Sequence, residues 1–244
     1  MKIITGMHRS GTSVIARFFY EAGADMGSPE TFYPGNKWNP GGYFEQKDIL
    51  DVNIPLIQSL WGKFSYLKLP SEETILRRSR KISGKISAAA QKYRNKVVKE
   101  PRFCLTLKAW QDCGSEFSKI LVCLREPVQS AHSLWTRNRF PISYGLGLWH
   151  EHYSRLLDHP GNASLWFVDY NSLLDKTLYD RELKAAFDFL DCPAEESRRR
   201  ELWEKIIEVK MNHHPVHSVS YPAKVKKLWQ ELLERHRQQF GNIF

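Results

Sequence analysis

Apolar residues recur along this chain in two periods. Four short runs are apolar at nearly every position: Ile3-Ile4, Val97-Val98, residues 119–124 (KILVCL) and residues 165–168 (LWFV). Runs without polar alternation read as strands buried on both faces, the habit of a parallel sheet. Between them apolar residues return every three or four positions, the helical period. This spacing predicts a helix from Thr12 to Glu21 that stops before Gly23. A second runs from Gln46 to Leu60 with Ile49, Leu50, Ile54 and Ile57 on one face, and Pro55 is placed to kink or divide it. Residues 71–94 read as one basic surface helix interrupted in propensity at Gly84. Shorter helices are expected over 103–112, 128–136 and 146–157. From residue 181 onward amphipathic stretches alternate with Pro193 and a loop at 212–222. Strands alternating with helices predict an α/β fold with a central parallel sheet flanked by helices. The chain reads as a single domain, 1–244, with a core to about residue 190 and a helical C-terminal part over about 191–244.

Residues 23–44 break the pattern. They are rich in Gly, Pro and Asn yet carry Phe32, Tyr33, Trp38, Tyr43 and Phe44, too many aromatics for simple disorder. A loop this long in a compact domain is usually functional. We expect it over the cleft at the C-terminal edge of the sheet, where open α/β folds bind ligands.

Composition narrows the class. Of 244 residues, 42% are hydrophobic, enough for a substantial core. Lys and Arg number 36 against 27 acids, a net charge of +9. That balance favours an anionic partner: a nucleotide, an acidic glycan, a membrane surface or nucleic acid. No zinc-finger or aromatic RNA-binding signature supports the last, so no nucleic acid is expected. Peripheral membrane contact stays open. Cys104, Cys113, Cys123 and Cys192 form no C-x-x-C, which argues against zinc or a disulfide framework and suits a reducing compartment. The opening apolar run is too short for a signal peptide, and no stretch approaches the about 18 apolar residues of a membrane span. The expected location is cytoplasmic.

The sharpest chemical signal is residues 6–13, GMHRSGTS, between the first strand and the first helix. Loop N–H groups and a helix N-terminus together favour an anion. A triphosphate-binding loop reads G-x-x-x-x-G-K-[ST]. Gly6, Gly11 and Ser13 fit it, but Thr12 stands at the lysine position, and Arg9 supplies a cation inside the loop instead. We read a shorter anion, such as a phosphosulfate; an ordinary strand-to-helix turn is the bland alternative. A second candidate is Arg125, at the tip of the 119–124 strand, with Ser133 eight residues on. Pairing of Arg125 with Glu126 or Asp169 is the bland alternative there. A third is Lys99-Glu100-Pro101-Arg102, two cations around a proline-stiffened turn.

These motifs resemble the sulfotransferases that use 3′-phosphoadenosine 5′-phosphosulfate (PAPS), most of all the bacterial and Golgi-type members with an Arg-Ser-Gly-Thr loop. The resemblance spans roughly residues 3–175 and implies a three-layer, P-loop-like fold. It implies that Arg9, Ser10, Gly11, Thr12 and Ser13 hold the 5′-phosphosulfate and that Arg125 and Ser133 hold the 3′-phosphate. It further implies transfer of a sulfuryl group to an acceptor hydroxyl on a carbohydrate, glycolipid or small metabolite, leaving 3′-phosphoadenosine 5′-phosphate. Many cytosolic members carry Lys-Thr-His where this chain has Lys99-Glu100-Pro101, so Lys99 matches but the usual basic His is missing. The base then comes from a carboxylate. Glu45, in a segment resembling the bacterial Gly-Tyr-Phe-Glu, is the first choice. Glu30 is second, on a loop-Arg to Glu spacing resembling tyrosylprotein sulfotransferases, and Asp48 is third. Catalysis is thereby assigned to Glu45, Lys99 and Arg9. Arg102 serves substrate, cofactor or a structural salt bridge. His132 reads as structural, and His213, His214 and His217 as a loop rather than a metal site. Tyr33, Trp38, Tyr43, Trp149 and Trp166 are candidates for stacking on an acceptor ring, or core. No metal is expected to be required, since the loop lysine is missing and the clearest later strand, 119–124, ends in Arg125 rather than in the Asp that helps hold Mg²⁺ in NTPases. A P-loop kinase or NTPase, and a non-catalytic binder of acidic ligands, are the alternatives. Oligomeric state is not legible.

Overall fold

Each of the four apolar runs becomes a strand. The computed structural model describes residues 1–36, 39, 41–58, 68–207 and 220–241. Trp38, Leu60, His213, His214 and His217 lie outside the described residues. In chain order the elements are β1 (Lys2–Thr5), α1 (Thr12–Glu21), a 3₁₀ turn (Pro29–Thr31), α2 (Lys47–Ile57), α3 (Glu72–Lys81), α4 (Ser83–Lys92), β2 (Val97–Lys99), α5 (Phe103–Asp112) and β3 (Lys119–Leu124). There follow α6 (Pro127–Asn138), α7 (Ile142–Asp158), β4 (Ser164–Asp169), α8 (Tyr170–Leu174), α9 (Tyr179–Phe189), α10 (Glu196–Ile206) and α11 (Ala223–Gln238).

The strands form one all-parallel sheet in the order β2-β1-β3-β4. Successive side chains point to opposite faces, so each strand feeds two cores. Ile3, Val98, Ile120, Val122, Leu124 and Phe167 pack with α2–α7 and α11, whereas Ile4, Val97, Leu121, Cys123 and Val168 pack with α1, α9 and α10. Each such side chain, once buried, contributes roughly 1.5–3 kcal/mol. The sheet is therefore the middle layer of an α/β fold. The helices beyond residue 190 belong to both outer layers: α10 gives Leu202 and Ile206 to one core, α11 gives Val225, Leu228 and Leu232 to the other. No helix among the described residues is long and apolar enough to cross a membrane.

Three helix expectations are corrected. Residues 71–94 hold two helices, because the chain leaves helical geometry at Ile82 (φ −123°, ψ 21°), next to the weak helix formers Ser83 and Gly84. Pro55 does not divide α2; it falls in the last turn, and Arg78 from α3 donates to the carbonyls of Leu56 (2.8 Å) and Gln58 (2.7 Å) just beyond it. Helix α7 begins four residues before the expected 146, at Ile142.

The chain passes from β1 to β2 on one side and then to β3 on the other. The crevice between the C-terminal ends of β1 and β3 is thus the topological switch point, the place where parallel α/β sheets bind ligands.

Candidate functional site

Because the sheet is parallel, all four strand ends converge on one edge. There they line a cleft of about 580 Å³. Residues 8, 9 and 11–13 come from the end of β1, Lys99, Pro101 and Arg102 from β2, Arg125 from β3, and Tyr170 from β4. Helix α6 adds Ser133 and Arg137; the 33–45 loop adds Tyr33, Tyr43 and Glu45.

The first loop is shaped by backbone geometry that few residues tolerate. Gly6, Arg9 and Gly11 have φ of 146°, 74° and 90°. A Cβ on Gly6 would stand 2.5 Å from the Cys123 carbonyl oxygen, and one on Gly11 would stand 2.2 Å from Cδ2 of Tyr170, so both glycines are required for close approach. Arg9 pays for a left-handed conformation that costs a non-glycine residue about 1–3 kcal/mol, a kind of strain that clusters at functional sites. Helix α1 opens at Gly11 with no side-chain cap, which leaves its first N–H groups facing the cleft.

Arg9 Nε donates to Ser133 Oγ (2.8 Å), and Arg125 Nη1 donates to the Arg9 carbonyl (3.0 Å). The two anion motifs of the sequence are therefore one contiguous surface. Arg125 is held by Gln129 (Nε to Oε1, 3.2 Å) and by the Tyr170 ring, 4.7 Å from the guanidinium carbon, while Trp149 Nε1 donates to its carbonyl (3.1 Å). The bland pairing of Arg125 does not occur. Glu126 accepts from Tyr221 Oη (2.5 Å), and Asp169 caps α8 by accepting from Ser172 N (2.8 Å). Among the described residues neither Arg9 nor Arg125 meets a carboxylate. Burial lowers both guanidinium pKa values, and Arg137 and Arg125 lower that of Arg9 further by like-charge repulsion. Charge removed from water with only neutral partners is costly, and an anion in the cleft would offset that cost.

Ser10 differs from expectation. Its side chain is fully buried and bonded to Tyr153 Oη (3.0 Å), which itself donates to the Cys123 carbonyl (2.6 Å). The left-handed turn at Arg9 rotates Ser10 inward, so its hydroxyl supports the loop from below rather than lining the cleft.

The third motif sits beside the first. Lys99 Nζ lies between Glu45 Oε1 (2.5 Å) and Ser13 Oγ (3.3 Å), with Lys99 and Glu45 both buried. Arg102 pairs with Glu100 (2.8 Å) and reaches Glu45 Oε2 (3.5 Å), so its structural salt bridge and its place in the cleft coexist. Burial, aided by Glu45, pushes the Glu100 carboxyl up although Arg102 pulls it down. Beside them His8 is held well below its usual range by burial first, then by Arg102, His152, Lys99 and Arg137, so its ring is neutral near pH 7.

Of the three candidate bases, Glu45 alone lines the cleft. It ends a loop that doubles back on itself. Phe32 bridges Gln46 in antiparallel fashion, Tyr33 N donates to Glu45 O (2.6 Å), and Phe44, at φ 56°, packs on Tyr20 and Phe32. Glu30 is on the surface bonded to Ser28, and Asp48 is held by Lys92 (2.6 Å) and Tyr93 (2.9 Å). Among the aromatic candidates, Tyr33 and Tyr43 line the cleft. Trp149 is core, and Trp166 packs on Phe189 and Phe240 away from it. His132, on α6, is not part of the lining either.

Arg137, Tyr153, Tyr170 and His8 were not singled out from sequence. Arg137 had a signal, four residues after Ser133 on the same helix face. Tyr153 had none, because its contact spans 143 residues. No cluster of metal-ligating side chains occurs among the described residues. Comparison with family models, with curated proteins and with solved structures returned no match to this chain.

Proposed function

We propose that this protein is a PAPS-dependent sulfotransferase, with the β1–α1 loop acting as a P-loop-like cradle. One observation carries the reading: Arg9 and Arg125, from two strand ends, are joined at the switch point through the Arg9 carbonyl and Ser133, and among the described residues neither guanidinium meets a carboxylate. A ligand with two anionic ends fits this surface, and the missing loop lysine disfavours a triphosphate. PAPS supplies the sulfuryl group, whose bond to the 5′-phosphate oxygen breaks as one to the acceptor oxygen forms. Arg9 and the N–H groups at the start of α1 hold the 5′ end. Arg125 and Ser133 hold the 3′-phosphate, the guanidinium in a two-point contact. Lys99, already between Ser13 and Glu45, neutralises charge developing on the leaving oxygen. Glu45 takes the proton from the acceptor hydroxyl at a carboxylate oxygen.

Calorimetric titration with 3′-phosphoadenosine 5′-phosphate, followed by a labelled-PAPS screen of hydroxyl acceptors, tests the reading. Saturable binding and label transfer are expected. Turnover of ATP with Mg²⁺ and indifference to the adenosine bisphosphate would refute it in favour of an NTPase.

A further inference from the structure

Three of the cleft's features are left over once the donor is seated. Among the described residues the lining holds six cations, Arg9, Arg17, Lys99, Arg102, Arg125 and Arg137, against one carboxylate, Glu45. Arg9, Lys99 and Arg125 serve the donor. Arg102 is held by Glu100 and Glu45, and Arg17 has Glu21 at 3.8 Å. Arg137 pairs with no carboxylate among the described residues. Its guanidinium lies 6.0 Å from the Tyr43 ring, one helical turn past Ser133, which places it beside the donor surface rather than on it.

The second feature is apolar. Three large apolar side chains are exposed among the described residues, Tyr33 (46%), Ile54 (38%) and Trp135 (45%), and the first two line this cleft. The Tyr33 ring meets Tyr43 edge-on at 5.7 Å, and Tyr43 is fixed by donating to Asn36 Oδ1 (2.8 Å). The third is placement. Tyr33 and Tyr43 stand on the two limbs of the loop that ends in Glu45, tied by the Tyr33 N to Glu45 O bond. A ring lying on Tyr33 thereby occupies the same cleft as the Glu45 carboxylate.

We infer that Arg137, Tyr43, Tyr33 and Ile54 form an acceptor subsite that selects a hydroxylated ring carrying its own anionic group, a uronic acid residue being the simplest case. Arg137 is a charge partner for that group, and the Tyr33 and Ile54 faces cover the ring's apolar side. Arg137 lowers the Arg9 pKa by like-charge repulsion, and an acceptor anion on Arg137 relieves that repulsion where a neutral acceptor does not. The inference rests on the donor assignment above for the ring's being an acceptor; the charge selectivity of the subsite does not.

Methyl β-glucuronide and methyl β-glucoside, which differ at one carboxylate, are titrated into the full chain by ligand-observed NMR. The titrations are made with and without saturating 3′-phosphoadenosine 5′-phosphate. The glucuronide is expected to bind at least tenfold tighter. Arg137→Gln abolishes the preference and Arg137→Lys retains part of it, while affinity for the adenosine bisphosphate stays within threefold in both. No preference in the native chain, or a preference that survives Arg137→Gln, overturns the inference. So does a tenfold loss of bisphosphate affinity in Arg137→Gln, which moves Arg137 to the donor. Failure of the native chain to bind the bisphosphate refutes the donor assignment instead, and the titration without it still decides charge selectivity.

Discussion

Arg125→Gln is the perturbation that separates a 3′-phosphate site from a generally basic cleft. Arg125 is 8% exposed and spends its side chain on Gln129, on the Arg9 carbonyl and on the Tyr170 face. Removing one partner of a buried, hydrogen-bonded charge pair costs about 2–5 kcal/mol, or roughly 30-fold to several thousand-fold in affinity. Part of any loss comes from the slackened Arg9 carbonyl, which disturbs the 5′ end of every ligand alike. The informative quantity is therefore a ratio. Isothermal calorimetry compares 3′-phosphoadenosine 5′-phosphate with adenosine 5′-monophosphate, which lacks only the 3′-phosphate. The bisphosphate is expected to lose at least ten times more affinity than the monophosphate. Equal losses for the two ligands would mean that Arg125 merely braces the loop, and the assignment of the two anion ends would fall.

Glu45→Gln is expected to lower kcat at least 100-fold with bisphosphate affinity within threefold, measured by labelled-PAPS transfer; unchanged kcat refutes Glu45 as the base. Gly11→Ala, which combines a left-handed φ with a Cβ driven into Tyr170, should cost about 2 kcal/mol or more and lower the melting temperature by about 4–8 °C, and a native melting temperature would refute the required glycine. His152 is buried with Nδ1 donating to the Leu148 carbonyl (2.7 Å) and Nε2 without a partner, and burial lowers its pKa to about 4. The unfolded chain therefore binds the extra proton first, and stability falls as pH drops from about 6.5 towards 4. Through His152 alone the loss between pH 7 and pH 5 is about 2 kcal/mol in denaturant melts, with His8, whose pKa is also lowered, acting in the same direction; His152→Gln should shrink the loss, and an unaltered pH dependence would refute the assignment.

Elements dominated by local pattern were legible in the residues alone. The four apolar runs read as buried strands, although β4, at the edge, is only half-buried, and the Thr12–Glu21 helix was bounded at both ends by its own glycines. The parallel sheet followed from strands alternating with helices. The anion loop was legible because its glycines and cation fall within eight positions. Where local signals were weak, as at Ser83-Gly84, the residues read as one helix and the structure shows two, and α8 was not read at all.

What the order of residues could not decide was which groups meet. The Arg9–Ser133 and Arg125–Arg9 contacts join residues more than 100 positions apart, and they exist because the strand order brings β1 and β3 side by side. That Glu45 lines the cleft while Glu30 and Asp48 do not was likewise decided by a folded-back loop, not by spacing. The inward turn of Ser10 was set by one left-handed residue before it. Periodicity records which side of an element faces oil, because burial of apolar area is local and non-directional. A charged site depends on distances of about 3 Å between chain-distant atoms, and only the closed tertiary fold fixes those.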